Sequence, residues 1–353
     1  MNRMSFIRKG YGNVISSLIF GIFEVGIPLA TYLESNSLVV TALFYTLYKL
    51  GIFISYRFED ISEKFLLILL SLIAIKTVIF MDWPFPNLNN YLMGLGVLSI
   101  GFVYSRFSIR IDSLPKPLWW KGNFGMYLMV IGMVVGTVGN LSVLFMITMF
   151  LIMVQIIYRN EFCMEFDKEA NLICSKCNSP LWLCIFAFFH QFQYQMFSFL
   201  IVIKLYEGGL PYYVVGLAFC SGWILYIPGK YIGDLLLKYI SIKGILIWSY
   251  LISIPWLILM TVHSTPEIII ISFLMHGLTI SFSRVYRNLA HTPQQQTNLF
   301  ILQRYAAFLG PLLSAGLLFL GKDAPFIGAA IVMAAMLFLV IGNKFRNLLQ
   351  QRK

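Results

Sequence analysis

Long apolar runs and short polar interruptions alternate along the whole chain. The apolar blocks fall at about 11–33, 37–55, 65–81, 90–106, 119–138, 141–158, 181–203, 210–228, 244–262, 266–284, 297–320 and 325–343. A helix of roughly 18 or more apolar residues is long enough to cross about 30 Å of hydrocarbon. The short alternating segments of a membrane β-barrel do not occur, so the spans read as helices whose backbone groups are satisfied within each segment. The pattern predicts an all-α integral membrane protein with about twelve transmembrane helices. The first block carries Glu24 and Pro28 and has no small-residue cleavage site, so it is expected to stay in the mature protein.

Polar interruptions set the organisation. The one long connection, "RNEFCMEFDKEANLICSKCNSP" at 159–180, separates six spans from six. It predicts an N-terminal six-helix bundle (1–158), a linker loop (159–180) and a C-terminal six-helix bundle (181–353).

Composition agrees with this pattern. Of 353 residues, 59% are hydrophobic and 12% charged, against about one quarter charged in a typical soluble domain. The net charge of +11 invites a nucleic-acid reading until its placement is considered. With the N-terminus inside, 21 of the 26 Lys and Arg fall in inside segments, only Lys204 and Lys322 fall outside, and Lys49, Lys76 and Arg304 lie within spans. That bias is the positive-inside rule, and it fixes span number and orientation together. The basic charge is topological, so no nucleic-acid partner is expected. The predicted location is the cytoplasmic (inner) membrane, multi-pass, with both termini cytoplasmic.

The two halves share punctuation. "SYRFEDISEKFL" (55–66) follows the second span and "PGKYIGDLLLKYISIKG" (228–244) follows the eighth. Each places an Asp, Asp60 or Asp234, just past a helix end, with Lys64 or Lys238 after it. Span five contains "GMVVGTVG" (132–139) and span eleven "FLGPLLSAG" (308–316), small-residue stretches that let helices approach closely. On these residues, and on the six-plus-six layout, the chain resembles the major facilitator superfamily. The resemblance implies two six-helix pseudo-repeats that expose a midplane site alternately to each side. It also implies that Asp60, Lys64, Asp234 and Lys238 occupy gating-loop positions.

Glu24, in "GIFEVGIPLA", is the sharpest chemical signal. An ionised carboxylate in hydrocarbon costs several kcal/mol unless it is hydrated or paired, which makes an intramembrane acid functional by default. Desolvation makes an acid hold its proton more tightly. The resemblance adds that a first-span acid often carries the coupling proton. The alternative is a structural ion pair with Lys49 or Lys76. One acid against three bases, Lys49, Lys76 and Arg304, predicts a net positive site for an anionic or zwitterionic solute. Arg304 ranks first because its planar fork can clamp a carboxylate or phosphate. Lys49 and Lys76 lie near span ends, where a long stem can snorkel to the headgroups.

Span seven opens with "FFHQFQYQMFSF" (188–199). Its His190, Gln191, Gln193, Tyr194 and Gln195 would be wasted facing lipid, so they are expected to line a cavity. His276, with Ser272, Thr279 and Ser283 at helical spacing, makes a second polar stripe. Its ring, like that of His190, keeps a role in proton coupling open. Cys163, Cys174 and Cys177 include a CxxC in the linker loop. A structural zinc takes four ligands and the loop offers no fourth, so no metal and no cofactor are expected.

Hydrolase, zinc-protease and nucleotide-binding motifs do not occur, so no enzyme activity is expected. The leading expectation is a proton-coupled secondary transporter of a small anionic or amphipathic molecule, exporting rather than importing. Its partners would be that solute, a proton or other coupling ion and the lipid bilayer, with the chain acting as a monomer. Two alternatives stay open: a membrane-embedded enzyme or flippase for a lipid-linked substrate, and a transporter-derived sensor or scaffold.

Overall fold

A computed structural model describes residues 3–55, 86–112, 124–137, 140–157, 181–262, 265–290 and 292–342. Predicted span 65–81, the gating candidates Asp60 and Lys64, Lys76, and the loop cysteines Cys163, Cys174 and Cys177 lie outside the described residues. Every other predicted span is helical over its described residues. These are α1 (Arg3–Ser35), α2 (Leu38–Ser55), α3 (Pro86–Asp112), α4 (Phe124–Gly136), α5 (Leu141–Ile157), α6 (Leu181–Glu207), α7 (Tyr212–Leu236), α8 (Ile242–Val262), α9 (Pro266–Phe282), α10 (Pro293–Leu317) and α11 (Ala324–Ile341). Eight of the described helical stretches are long and apolar enough to cross a membrane. Large side chains such as Ile331 and Phe338 on α11 and Trp248 and Leu251 on α8 are exposed, as a lipid-facing surface requires. The chain is a multi-pass helical membrane protein.

It divides into two compact units, Met1–Ser175 and Lys176–Lys353. In the first, α1 packs along α4 and α2 along α3. Glycine sets these crossings: a Cβ on Gly21 would strike the carbonyl of Met129, and one on Gly132 the carbonyl of Leu18. Gly51 and Gly101 stand in the same relation to the carbonyls of Leu98 and Tyr48. Backbones this close gain dispersion contacts that lipid-matched side chains cannot supply. Gly21 therefore serves helix packing, and α1 runs on through Pro28, which leaves the Glu24 carbonyl without its usual i+4 donor. A tight turn joins α1 to α2, with Asn36 in the left-handed region at φ 48, a conformation Asn tolerates.

In the second unit α6 packs along α10 and α7 along α9. Gly310 of α10 lies against Phe192 and Gln195 of α6, and Ser314 Oγ donates to the Met196 carbonyl at 2.5 Å. Gly277 of α9 meets the backbone of Gly222 on α7. Past α9 the chain continues as a 3-10 helix, Ser283–Leu289, before α10 opens on a capping box between Thr292 and Gln295. The end of this unit that holds the C-terminus of α6 is tied by Lys204, which pairs with Asp323 at 2.5 Å and donates to the Met260 carbonyl at 2.6 Å.

Candidate functional site

Each unit holds one polar cluster inside its helices. In the first, Glu24 is 4% exposed and both carboxylate oxygens are engaged. Lys49 Nζ donates to Oε1 in a buried ion pair, and the Tyr45 hydroxyl donates to Oε2 at 2.7 Å. Lys49 is 5% exposed, so its stem does not run to the headgroups. Its ammonium lies 4.9 Å from the Tyr45 ring centre, 5.2 Å from that of Tyr48 and 5.9 Å from that of Phe20, within cation–π range. Phe23 stands edge-on to Tyr48 and to Tyr104 and closes the aromatic shell.

The hairpin explains the pairing. Glu24 lies eleven residues before the end of α1 (35 − 24) and Lys49 eleven after the start of α2 (49 − 38). At 1.5 Å per residue both sit about 16 Å from the shared turn, so antiparallel helices bring them level. That symmetry is readable in the sequence, though a lysine near a span end is equally expected to snorkel to the headgroups. The pair accounts for one of the three bases and for the acid, so the balance of one acid against three bases is unchanged. Arg304, half-buried on α10, lies 4.6 Å from the Phe300 ring one turn away on its own helix.

In the second unit, α6, α7 and α9 line a partly open cavity of about 80 Å³. Four of the five span-seven candidates border it: His190, Gln191, Gln193 and Tyr194. Gln195 does not, because it turns toward Gly310 of α10. His276 borders it from α9, and the sequence reading missed Trp223 and Tyr226 of α7 and Phe273 of α9. Their only signal was the small pair Gly222 and Gly277, which pulls α7 onto α9.

Backbone and hydroxyl groups behind the cavity hold the two histidines. His190 Nδ1 lies 2.9 Å from the Tyr250 hydroxyl and 3.3 Å from that of Ser283, and Phe186 stacks on its ring. His276 Nδ1 faces the Ser253 carbonyl at 3.4 Å, while Ser253 Oγ bonds Thr279 Oγ1 at 2.7 Å. Three polar atoms of its lining residues, His276 Nε2, Gln193 Oε1 and Trp223 Nε1, are buried out of a water's reach and have no hydrogen-bond partner among the described residues. Buried polar groups are normally paired or hydrated. Arg284 stacks on Tyr226, its guanidinium 5.0 Å from the ring centre. Asp234 and Lys238 are exposed at and just beyond the C-terminal end of α7. Among the described residues no three His, Cys, Asp or Glu side chains are grouped to hold a metal ion.

No family model and no curated protein matches the sequence. Solved structures do match its fold. A variant of the nucleoside transporter NupG superposes with a TM-score of 0.66 at 12% identity, over 94% of this chain and 98% of that one. A bacterial homologue of the iron transporter ferroportin in its inward-facing state gives 0.64 at 12% identity, over 94% and 99%. A bacterial metal transporter gives 0.63 at 12% identity, over 95% and 99%. From near one end to the other, then, the chain shares the fold of these membrane transporters.

Proposed function

We propose that the protein is a proton-coupled secondary transporter of the cytoplasmic membrane, working as a monomer by alternating access with both termini in the cytoplasm. The observation that carries this reading is the Glu24–Lys49–Tyr45 cluster. A carboxylate inside a span, bonded at both oxygens, is an expensive arrangement to keep. Lys49 is held by ring faces as well as by the carboxylate, so it keeps a place to stay when a proton takes its position on Glu24. Proton and ammonium thus compete for one carboxylate, which is the exchange that coupling requires. His190 and His276 are the second pair of proton-handling candidates. The solute occupies the cavity of the second unit, beside Gln191, Gln193 and Tyr194. Asp234 and Lys238, with Asp60 and Lys64, are the gating positions.

The neighbours' names speak of a nucleoside, of metal and of iron, so the fold leaves the solute to the site. The expectation of an anion rested on one acid against three bases, a balance that the Glu24–Lys49 pair leaves as it was. Arg304 keeps a place as a candidate solute contact. Export rather than uptake rests on the first-span acid and the Gly-Pro stretch of α10.

The test is reconstitution into liposomes holding a pH-sensitive dye under an imposed pH gradient. A small-molecule panel is added from outside. Transport predicts that one chemical class accelerates collapse of the gradient in wild type and not in Glu24→Gln. A wild type that leaves the gradient untouched for every compound overturns the reading and leaves the ion pair as a structural brace.

A further inference from the structure

Two arginines ride on the 3-10 helix Ser283–Leu289 that follows α9. Such a helix has three residues per turn, so side chains three apart eclipse. With a rise of about 2 Å per residue, Arg284 and Arg287 project from one side about 6 Å apart along the axis. Ser283 and Tyr286 share another side and are buried against His190, whose ring lies 5.4 Å from that of Tyr286 and whose Nδ1 lies 3.3 Å from Ser283 Oγ. Gly229 of α7 permits the approach, because a Cβ there would strike the Leu278 carbonyl and Ser281 Oγ near the end of α9. The same helix contact brings Tyr226 to Arg284, with the guanidinium 5.0 Å from the ring centre.

Both guanidinium groups are held in place but not neutralised. Arg287 is exposed and donates to Gln303 Oε1 at 3.2 Å, and Gln303 is itself fixed, donating from Nε2 to the Tyr286 hydroxyl at 2.5 Å. Arg284 is half-buried, rests on the Tyr226 ring and makes no hydrogen bond among the described residues, yet none of its nitrogens is sealed from water. No described Asp or Glu pairs with either arginine, and the exposed Asp234 acts on Arg284 only from beyond ion-pair distance. Both arginines act electrostatically on Tyr226 and on His190, so their fields overlap. A basic residue at a span end is ordinary. Two oriented forks that share one field without an acid leave two positive charges to be met.

We infer that Arg284 and Arg287 together bind a dianionic phosphate group. A phosphate monoester carries close to two negative charges at neutral pH and three acceptor oxygens, enough to be shared between two planar forks. A carboxylate has one charge and two oxygens, which a single guanidinium already satisfies. Tyr226 and Ile280 border the cavity, and Arg284 lies against the first and one turn past the second. The phosphate site therefore stands beside the cavity, and it does not depend on the transporter reading.

Inorganic phosphate is the probe and acetate the monoanion. Binding to the purified full chain in phosphatidylcholine nanodiscs is read by calorimetry. The expected result is binding of phosphate and at least tenfold weaker binding of acetate. Arg287→Gln, at an exposed position where folding is not at risk, should weaken phosphate about tenfold, the loss of a charged hydrogen-bond donor. Arg284→Lys, which keeps the charge and loses the fork, should weaken it as well. Lys322→Gln, on the exposed turn between α10 and α11, should leave it unchanged.

A second set of nanodiscs adds phosphatidic acid, whose headgroup is also a phosphate monoester. Loss of phosphate binding there, restricted to proteins with both arginines, makes the occupant a lipid headgroup. Undiminished binding makes it a free phosphate compound. Acetate binding as tightly as phosphate overturns the dianion assignment. Phosphate binding that survives both Arg287→Gln and Arg284→Lys, or no phosphate binding by wild type in phosphatidylcholine, overturns the site.

Discussion

Replacing Lys49 by Met leaves the Glu24 carboxylate inside α1 with one hydrogen bond, from Tyr45, and no counter-charge among the described residues. Removing one member of a buried pair costs about 3–5 kcal/mol, because the remaining charge is left uncompensated. Glu24→Gln should cost less. The Lys49 ammonium then still has three aromatic rings at 4.9–5.9 Å, each contact worth about 0.5–2 kcal/mol when shielded from water. Replacing both members with apolar residues, as in Glu24→Leu with Lys49→Met, removes both charges together. Such exchanges are neutral or stabilising by about 1–4 kcal/mol. The double variant should therefore match or exceed wild type although each single variant falls below it. Equilibrium unfolding in mixed micelles, run on all four proteins, gives the coupling energy directly. A Lys49→Met variant within about 1 kcal/mol of wild type, or a double variant as weak as the two singles summed, refutes a buried ion pair. Water would then reach Glu24.

The glycine crossings make opposite predictions at two positions. Gly132→Val places carbon against the Leu18 backbone and should cost at least the 1–3 kcal/mol of an overpacked core, whereas Gly316→Ala, with open space around its Cβ, should gain up to about 1 kcal/mol from helix propensity. Both are read as unfolding free energies in the same micelles. Thr292→Ala removes the side-chain half of the capping box on α10 and should cost about 1 kcal/mol, with Thr292→Ser restoring it.

What the sequence revealed and what it withheld follow from the range of the interactions. Span positions depend on local hydropathy, so each helix from α1 to α11 was legible as a span, although α1 begins eight residues before its predicted start (11 − 3) and α7 ends eight past its predicted end (236 − 228). Helix ends were less so. Apolar counting stops the tenth span near Arg284, but the backbone runs on as a 3-10 helix to Leu289, placing Arg284 over Tyr226 and Tyr286 beside His190. Glu24 stood out because a carboxylate amid apolar residues is costly wherever it points. Its partner was harder to see, since snorkelling and pairing predict the same lysine near a span end. Only the equal distances from the α1–α2 turn separate them.

The cavity was half legible. Glutamines and a histidine on one helix announce a polar face, which found His190, Gln191, Gln193 and Tyr194. Trp223, Tyr226 and Phe273 look like any aromatic residues in a span. They became lining only when Gly222 and Gly277 drew α7 and α9 together, a contact between residues 55 apart in sequence (277 − 222). Gln195 shows the reverse error. A helix turns 100° per residue, so two positions past Gln193 the side chain already faces α10.

Coupling at Glu24 separates driven transport from passive exchange, and one experiment measures both. Liposomes carrying wild type or Glu24→Gln are loaded with the solute that the gradient screen identifies. Counterflow without a pH gradient and accumulation with one are then recorded side by side. If Glu24 carries the coupling proton, Glu24→Gln retains counterflow and loses gradient-driven accumulation. If it accumulates solute as well as wild type does, the carboxylate carries no proton, and the cluster only holds α1 to α2.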